Sequence, residues 1–164
     1  MKRLAIWLTA MLTAAVLSPL NAAAGTTSFS FQLTGPNTAV ASSGPFSGDT
    51  IRMTGSGSFD TGAATVDAEG SFKIIQSNGT VVESGTWQAT AFTSFTGFGG
   101  KNPGFQGGVL AITVTLIPVH GTPLSGQSMT VTCVVNAPPG FEEGTTVGDF
   151  TTKTGGTTLF HGQN

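Results

Sequence analysis

Few side chains in this 164-residue sequence have the chemistry to act as more than structure. His120, His161 and the adjacent pair Glu142-Glu143 could ligate a metal if folding brought them together. Metal sites are usually announced by ligand pairs a few residues apart, and no such Cys/His spacing occurs. The expectation is solvated histidines at strand ends, Glu142 and Glu143 in an exposed turn, and no metal or cofactor. Cys133 is the single cysteine, so no internal disulfide is available. In "SMTVTCVVN" it alternates onto one face with Met129, Val131 and Val135, and no His or Lys adjoins it to lower its pKa. It reads as a small buried hydrophobe. No phosphate-cradling glycine loop or nucleophile elbow is present. Asn78-Gly79-Thr80 matches a glycosylation sequon, but the hairpin expected there makes it incidental. Glu83 is the acid of most interest. Buried, it would have a raised pKa and could serve as a general acid; at a barrel rim it would be a solvated carboxylate. The rim is the expectation.

The stretch "FTSFTGFGGKNPGFQGG", Phe92 to Gly108, is the other candidate. Phe92 reads as the outer face of a strand, and Phe95, Phe98 and Phe105 fall at or beyond the strand end. Six glycines would let the chain fold back as an Ω-like cap over its own rings. A loop presenting Phe98, Lys101 and Phe105 to an apolar ligand, a glycan or a protein partner is the functional alternative. Phe95 is expected buried and Phe98, flanked by Gly97, Gly99 and Gly100, more exposed.

These residues must be positioned by strands. Lys2-Arg3, the apolar run Leu4–Leu17 and the small residues Ala22-Ala23-Ala24 form a secretory signal, with cleavage expected after Ala24. The remainder, 25–164, is long enough for one domain with its own core. It carries four basic side chains (Arg52, Lys73, Lys101, Lys153) against eight acidic ones, a net charge of −4. Nucleic acid and anionic membrane surfaces both require clustered Lys/Arg, so neither is an expected partner. All 24 glycines lie in this part, and Thr, Val and Phe dominate over charge, which is a strand composition. No helical period and no membrane-spanning run appears in it.

Alternation predicts about eight strands, at 27–33, 49–60, 65–76, 80–95, 109–119, 128–136, 145–150 and 157–161. Short turn-rich links make the sheet an antiparallel meander, all-β, and a small closed barrel rather than a two-layer sandwich. Register comes from two turns. A four-residue "TGAA" loop pairs Phe59 with Val66, Gly57 with Ala68 and Gly55 with Gly70. A two-residue Asn78-Gly79 turn pairs Phe72 with Gly85, Gly70 with Trp87 and Ile74 with Glu83. Each large ring then lies across from a glycine. Both turns assign one core face, with Ile51, Met53, Ile74, Ala89 and Ala91. The opposite face, with Arg52, Ser56, Asp67, Glu69, Lys73 and Gln88, is wet, unlike the apolar exterior of an outer-membrane barrel.

The succession "GSGSFD", "GSF", "GTW" and "TVTC", with "EEGTTV" and "GGTTLF" downstream, resembles a family of small secreted bacterial β-rich proteins over about 110 residues. The shared residues are structural glycines and aromatics. The resemblance therefore implies a fold, and it implies no activity and carries over no site residue.

The leading expectation is a secreted (periplasmic or extracellular), non-catalytic β-domain that binds a ligand or partner through its loops. The first alternative is a small-barrel carrier or isomerase-like enzyme with an apolar interior cavity; the second is a structural surface or matrix protein, which would need exposed strand edges. An interior filled by Trp87 and Phe72 favours the binding module. A cavity of a few hundred Å³ with Glu83 on its wall favours the carrier or enzyme.

Overall fold

The computed structural model describes residues 27–102 and 104–163; the expected signal segment and its cleavage point lie outside them. Nine antiparallel strands make up one sheet and no helix is present among the described residues: β1 (Ser28–Ala41), β2 (Thr50–Asp60), β3 (Thr65–Ile75), β4 (Val81–Asn102), β5 (Phe105–Pro118), β6 (Leu124–Cys133), β7 (Gly144–Val147), β8 (Phe150–Gly155) and β9 (Thr158–Gln163). Hydrogen bonds run from strand to strand in the order β2-β3-β4-β5-β6-β7-β8-β1, and β1 pairs back onto β2. The meander therefore closes into a ring, the small barrel expected from the sequence.

The ring is not uniform along its axis. On the edge away from β2, β1 pairs with β9 over Ser28–Leu33 and with β8 over Thr38–Ala41. On the edge away from β4, β5 pairs with β9 at Phe105 and Gln106 and with β6 from Gly108 onward. One half thus closes through β6, β7 and β8 as an eight-stranded ring; in the other, of six strands, β9 alone bridges β1 to β5 and the ladder between β3 and β4 stops at Glu69 and Gln88. Barrel diameter grows with strand number, so the eight-stranded end is the wider. The narrow half is filled by rings. Phe59 lies 5.1 Å from Phe29, 4.9 Å from Phe95, 6.1 Å from Phe92 and 6.0 Å from Phe160, centroid to centroid.

Trp87, on β4, is 0% exposed. It faces Gly70, Phe72 faces Gly85, and Gly55 faces Gly70 on the next strand, the pairing expected. A Cβ at Gly70 would overlap the Thr54 carbonyl oxygen and the indole, and one at Gly55 would overlap the indole and the Glu69 carbonyl. The missing side chains are the seat of the ring. Its Nε1–H donates to Thr54 O at 3.0 Å, so the one polar atom of the buried indole is satisfied.

The turn that sets this register differs from the expected one. Gln76 N–H donates to Thr80 O (2.9 Å), Gly79 N–H donates to Gln76 O (2.8 Å), and Gly79 has φ +87°. Three residues, Ser77 to Gly79, make the bend instead of two. Ile75 then pairs with Val81 while Ile74 pairs with Glu83, so Val82 is an inserted bulge residue. The longer turn and the bulge are each one residue off and cancel, which is why the pairs beyond them stand as expected.

Other departures have similar causes. β4 is 22 residues long and its ladder with β5 skips Thr90, Thr93, Phe98 and Lys101. The skip at Thr90 inverts the alternation, so Ala91, expected in the core, is exposed, and Phe92, expected outside, packs against the core. β1 runs on past Gly35-Pro36 to Ala41 through a register shift between Leu33 and Asn37. The segment 145–150 is two strands joined by a Gly148-Asp149 turn that pairs Val147 with Phe150.

A polar cluster occupies the junction where β1 passes from β9 to β8. Asn37 is buried; its Nδ2 donates to Thr157 O at 3.2 Å and its Oδ1 accepts from Thr145 Oγ1 at 3.2 Å. Glu143 accepts from Val134 N–H (2.7 Å) and Thr158 N–H (2.6 Å), and lies 2.7 Å from Thr158 Oγ1. Lys153 Nζ donates to Thr132 Oγ1 and to Glu142 O. Its burial lowers the ammonium pKa below the ordinary value, and Glu142 and Glu143 offset this only in part. Cys133 is buried beside this cluster, as expected, with its thiol pKa pushed up chiefly by burial. Glu142 is exposed, but Glu143 is half-buried and ties strand ends together, which corrects the reading of both as an exposed turn.

Denaturant unfolding of three variants measures these contributions. Trp87→Ala should cost about 3–5 kcal/mol, the range for removing a large buried aromatic. Glu143→Ala removes the acceptor of the Thr158 and Val134 N–H groups and should cost about 2–3 kcal/mol, whereas Glu142→Ala should stay within about 0.5 kcal/mol of the parent. Equal effects of the two Glu variants would contradict the assigned network.

Candidate binding site at the open end of the barrel

The wide end is bordered by the β1–β2 loop, the β5–β6 turn and the β7–β8 turn. Alternation on β3 and β5 sends Phe72, Ile74 and Leu116 inward near this end, and all three are buried. The β1–β2 loop closes over them as a set of turns. Ser47 N–H donates to Gly44 O, Asp49 N–H to Phe46 O and Gly48 N–H to Ala41 O. Gly44 and Gly48 take φ of +75° and +88°, where a side chain would be strained. The result projects Phe46 over the mouth, with its ring 6.1 Å from Phe150 and nearly parallel to it.

Two cavities lie under this cover. One, of about 260 Å³, is lined by residues that include Phe46, Phe72, Ile74, Glu83, Leu116 and Leu124, with His120 at its border. The other, of about 250 Å³, adds Gln127, Val147, Asp149 and Phe150. Pro45, Phe46, Ile74, Leu116 and Leu124 belong to both, so the two adjoin as one apolar basin with Phe46 in the wall of each.

Glu83 is where the register places it, opposite Ile74 on the inward face near the rim, half-buried. Its Oε1 accepts from Ser84 N–H at 2.9 Å. It is the carboxylate on the wall of the first cavity.

The candidates in the stretch Phe92–Gly108 lie at the opposite end and do not join it. The stretch Phe92–Gly108 is, among the described residues, a bulged two-stranded ladder that reaches to Asn102 paired with Phe105, and not an Ω-like cap. Its glycines serve close approach: a Cβ at Gly107 would overlap Val135 O and one at Gly108 would meet the Phe95 ring. Phe95 packs 5.0 Å from Phe29 and 5.4 Å from Phe160. Phe98, an inserted bulge residue, is half-buried against Phe141 at 4.6 Å. Phe105 is exposed and its ring lies 4.1 Å from the imidazole of His161. Lys101 belongs to β4 by its backbone, and its side chain lies outside the described residues. His120 and His161 stand near opposite ends of β5, too far apart to share an ion.

Sequence reasoning missed Phe46, Leu116, Leu124 and Asp149 as site residues. Leu116 was legible only as core. Phe46 sits in "SSGPFSGD", whose turn residues gave a signal for a loop but none for the direction of its single ring. No helix among the described residues is long and apolar enough to cross a membrane. The chain matches no family model, no curated protein and no solved structure.

The two phenylalanines of the ladder should behave differently. Phe95→Ser should cost about 2–4 kcal/mol, because it removes a ring from the cluster that fills the narrow half. Phe98→Ser should cost less than about 1 kcal/mol, since only Phe141 loses an aromatic neighbour. Thermal melts of both variants measure the difference.

Proposed function

We propose that this is a secreted, non-catalytic β-barrel domain that binds a small apolar ligand in the basin at its wide end, under Phe46. The observation that carries the reading is the pair of adjoining apolar hollows under Phe46. The barrel axis itself is filled, with Trp87 and Phe160 fully buried, so a ligand has no room deep inside. The apolar unfilled volume is at the mouth, in two adjoining hollows of about 260 and 250 Å³ that share Pro45, Phe46, Ile74, Leu116 and Leu124; larger hollows of about 520 and 380 Å³ lie against the polar outer face of the sheet, beside Ser30, Gln32 and Ser58 and beside Glu69, Thr86 and Gln88. Together the two hollows at the mouth reach the lower range of small-molecule sites, which are concave, mainly apolar and supplied with a few polar groups.

The filled interior is what a binding module requires. The Glu83-walled cavity is what a carrier requires. Both features suit a domain that holds a ligand at its open end through its loops, the β1–β2 loop above all. Export of the domain rests on the Lys2-Arg3, Leu4–Leu17 and Ala22–Ala24 pattern.

The test is binding of N-phenyl-1-naphthylamine, a neutral dye that fluoresces in apolar surroundings. The chain should enhance its emission saturably. Leu124 lines both halves and is 48% exposed, so Leu124→Lys should leave the melting temperature within about 2 °C while weakening the dye at least about tenfold. No saturable enhancement, or an unchanged affinity in Leu124→Lys, would refute the assignment to the mouth.

A further inference from the structure

The charges around the basin are of one main kind, and they narrow the ligand class beyond apolar; this narrowing rests on the mouth being the binding site. Glu83 stands in the wall of one half and Asp149 in the wall of the other, and Phe46 lines both. No Lys or Arg lines either half, and the single imidazole, His120, is exposed at the border. The sequence from residue 25 onward carries four basic against eight acidic side chains. A ligand with an anionic head would meet two carboxylates. One with a cationic head would meet complementary charge on either side.

The two acids are not equivalent. Asp149 is exposed and accepts from Ser43 Oγ at 3.4 Å. Glu83 is half-buried among Phe72, Ile74, Leu116 and Pro118. Its Oε1 accepts one backbone N–H, and among the described residues no hydrogen bond is made to Oε2. Charge–charge attraction is screened less beside apolar walls than in open water, and a charge-assisted hydrogen bond is about twice as strong as a neutral one.

We infer that the basin selects amphiphiles with a protonated amine head, the apolar body lying against Phe46, Leu116 and Leu124 and the ammonium donating to the Glu83 carboxylate. The apolar surface supplies affinity, and the carboxylate supplies the choice among heads. Binding involves no covalent step.

The experiment displaces bound N-phenyl-1-naphthylamine with decylamine, decanol and decanoate at pH 7, which share a chain and differ in the head. Decylamine should displace the dye about tenfold more effectively than decanol, and decanoate less effectively than either. Glu83→Gln should remove the amine preference while leaving decanol unchanged, and Asp149→Asn should preserve most of it. Equal displacement by decylamine and decanol in the parent chain would overturn the inference, as would a preference that survives Glu83→Gln. Loss of the preference in Asp149→Asn alone would overturn the assignment of the head to Glu83. These failures are distinct from failure of the mouth reading, in which the dye does not bind or Leu124→Lys has no effect.

Discussion

The structure depends on the close approach of Trp87 to backbone that has no Cβ atoms. Gly55 and Gly70 face each other on β2 and β3, and the indole lies across both. Side chains at those positions would hold the ring away from the sheet, and the strands would lose the tight coiling that lets a meander close on itself. The indole also spends its only hydrogen-bond donor on Thr54 O, so its burial leaves no polar atom unpaired. Ring closure and the filled axis both depend on how fully this middle layer is packed.

Above and below that layer, the two halves of the barrel solve different problems. The six-stranded half is narrow and is stopped by a cluster of phenylalanines from β1, β2, β4 and β9. The eight-stranded half is wider, and the aliphatic side chains reaching inward there do not fill it. A single ring from a loop covers the remainder. The change from six to eight strands occurs where β1 exchanges β9 for β8, and there Asn37, Glu143, Thr158 and Lys153 satisfy backbone and side-chain groups that the ladders leave over. The junction costs polar burial, and the hydrogen bonds offset it.

Most of the barrel was legible because period-two alternation and glycine–aromatic pairs are local signals. Phe29, Phe31, Leu33, Met129, Val131 and Cys133 lie in the core as their alternation requires. Bulges were not legible. Thr90, Thr93 and Val82 are ordinary strand residues, and nothing in their types marks them as inserted; only the partner strand reveals the skip. One skip put Phe92 inside and Ala91 outside. The same limit hid part of the proposed binding surface. Glu83 was found because its partner Ile74 could be counted from a turn. Phe46 was missed because its orientation depends on a loop whose contacts, with Asp149 and Phe150, come from more than a hundred residues away in sequence. The glycine-rich stretch drew attention by composition, and its glycines answer to steric demands of the ladder instead.

The irregularity of β4 has a consequence for life in a crowded compartment. Its ladder with β3 ends at Gln88, so from Ala89 onward one edge of the strand has no partner among the described strands. A straight edge of that length would be a template on which a second molecule could add a strand. Skips at Thr90, Thr93, Phe98 and Lys101 break it into runs of at most four residues. No run is long enough to zip against a regular strand, so the bulges guard this barrel against sticking to its own copies.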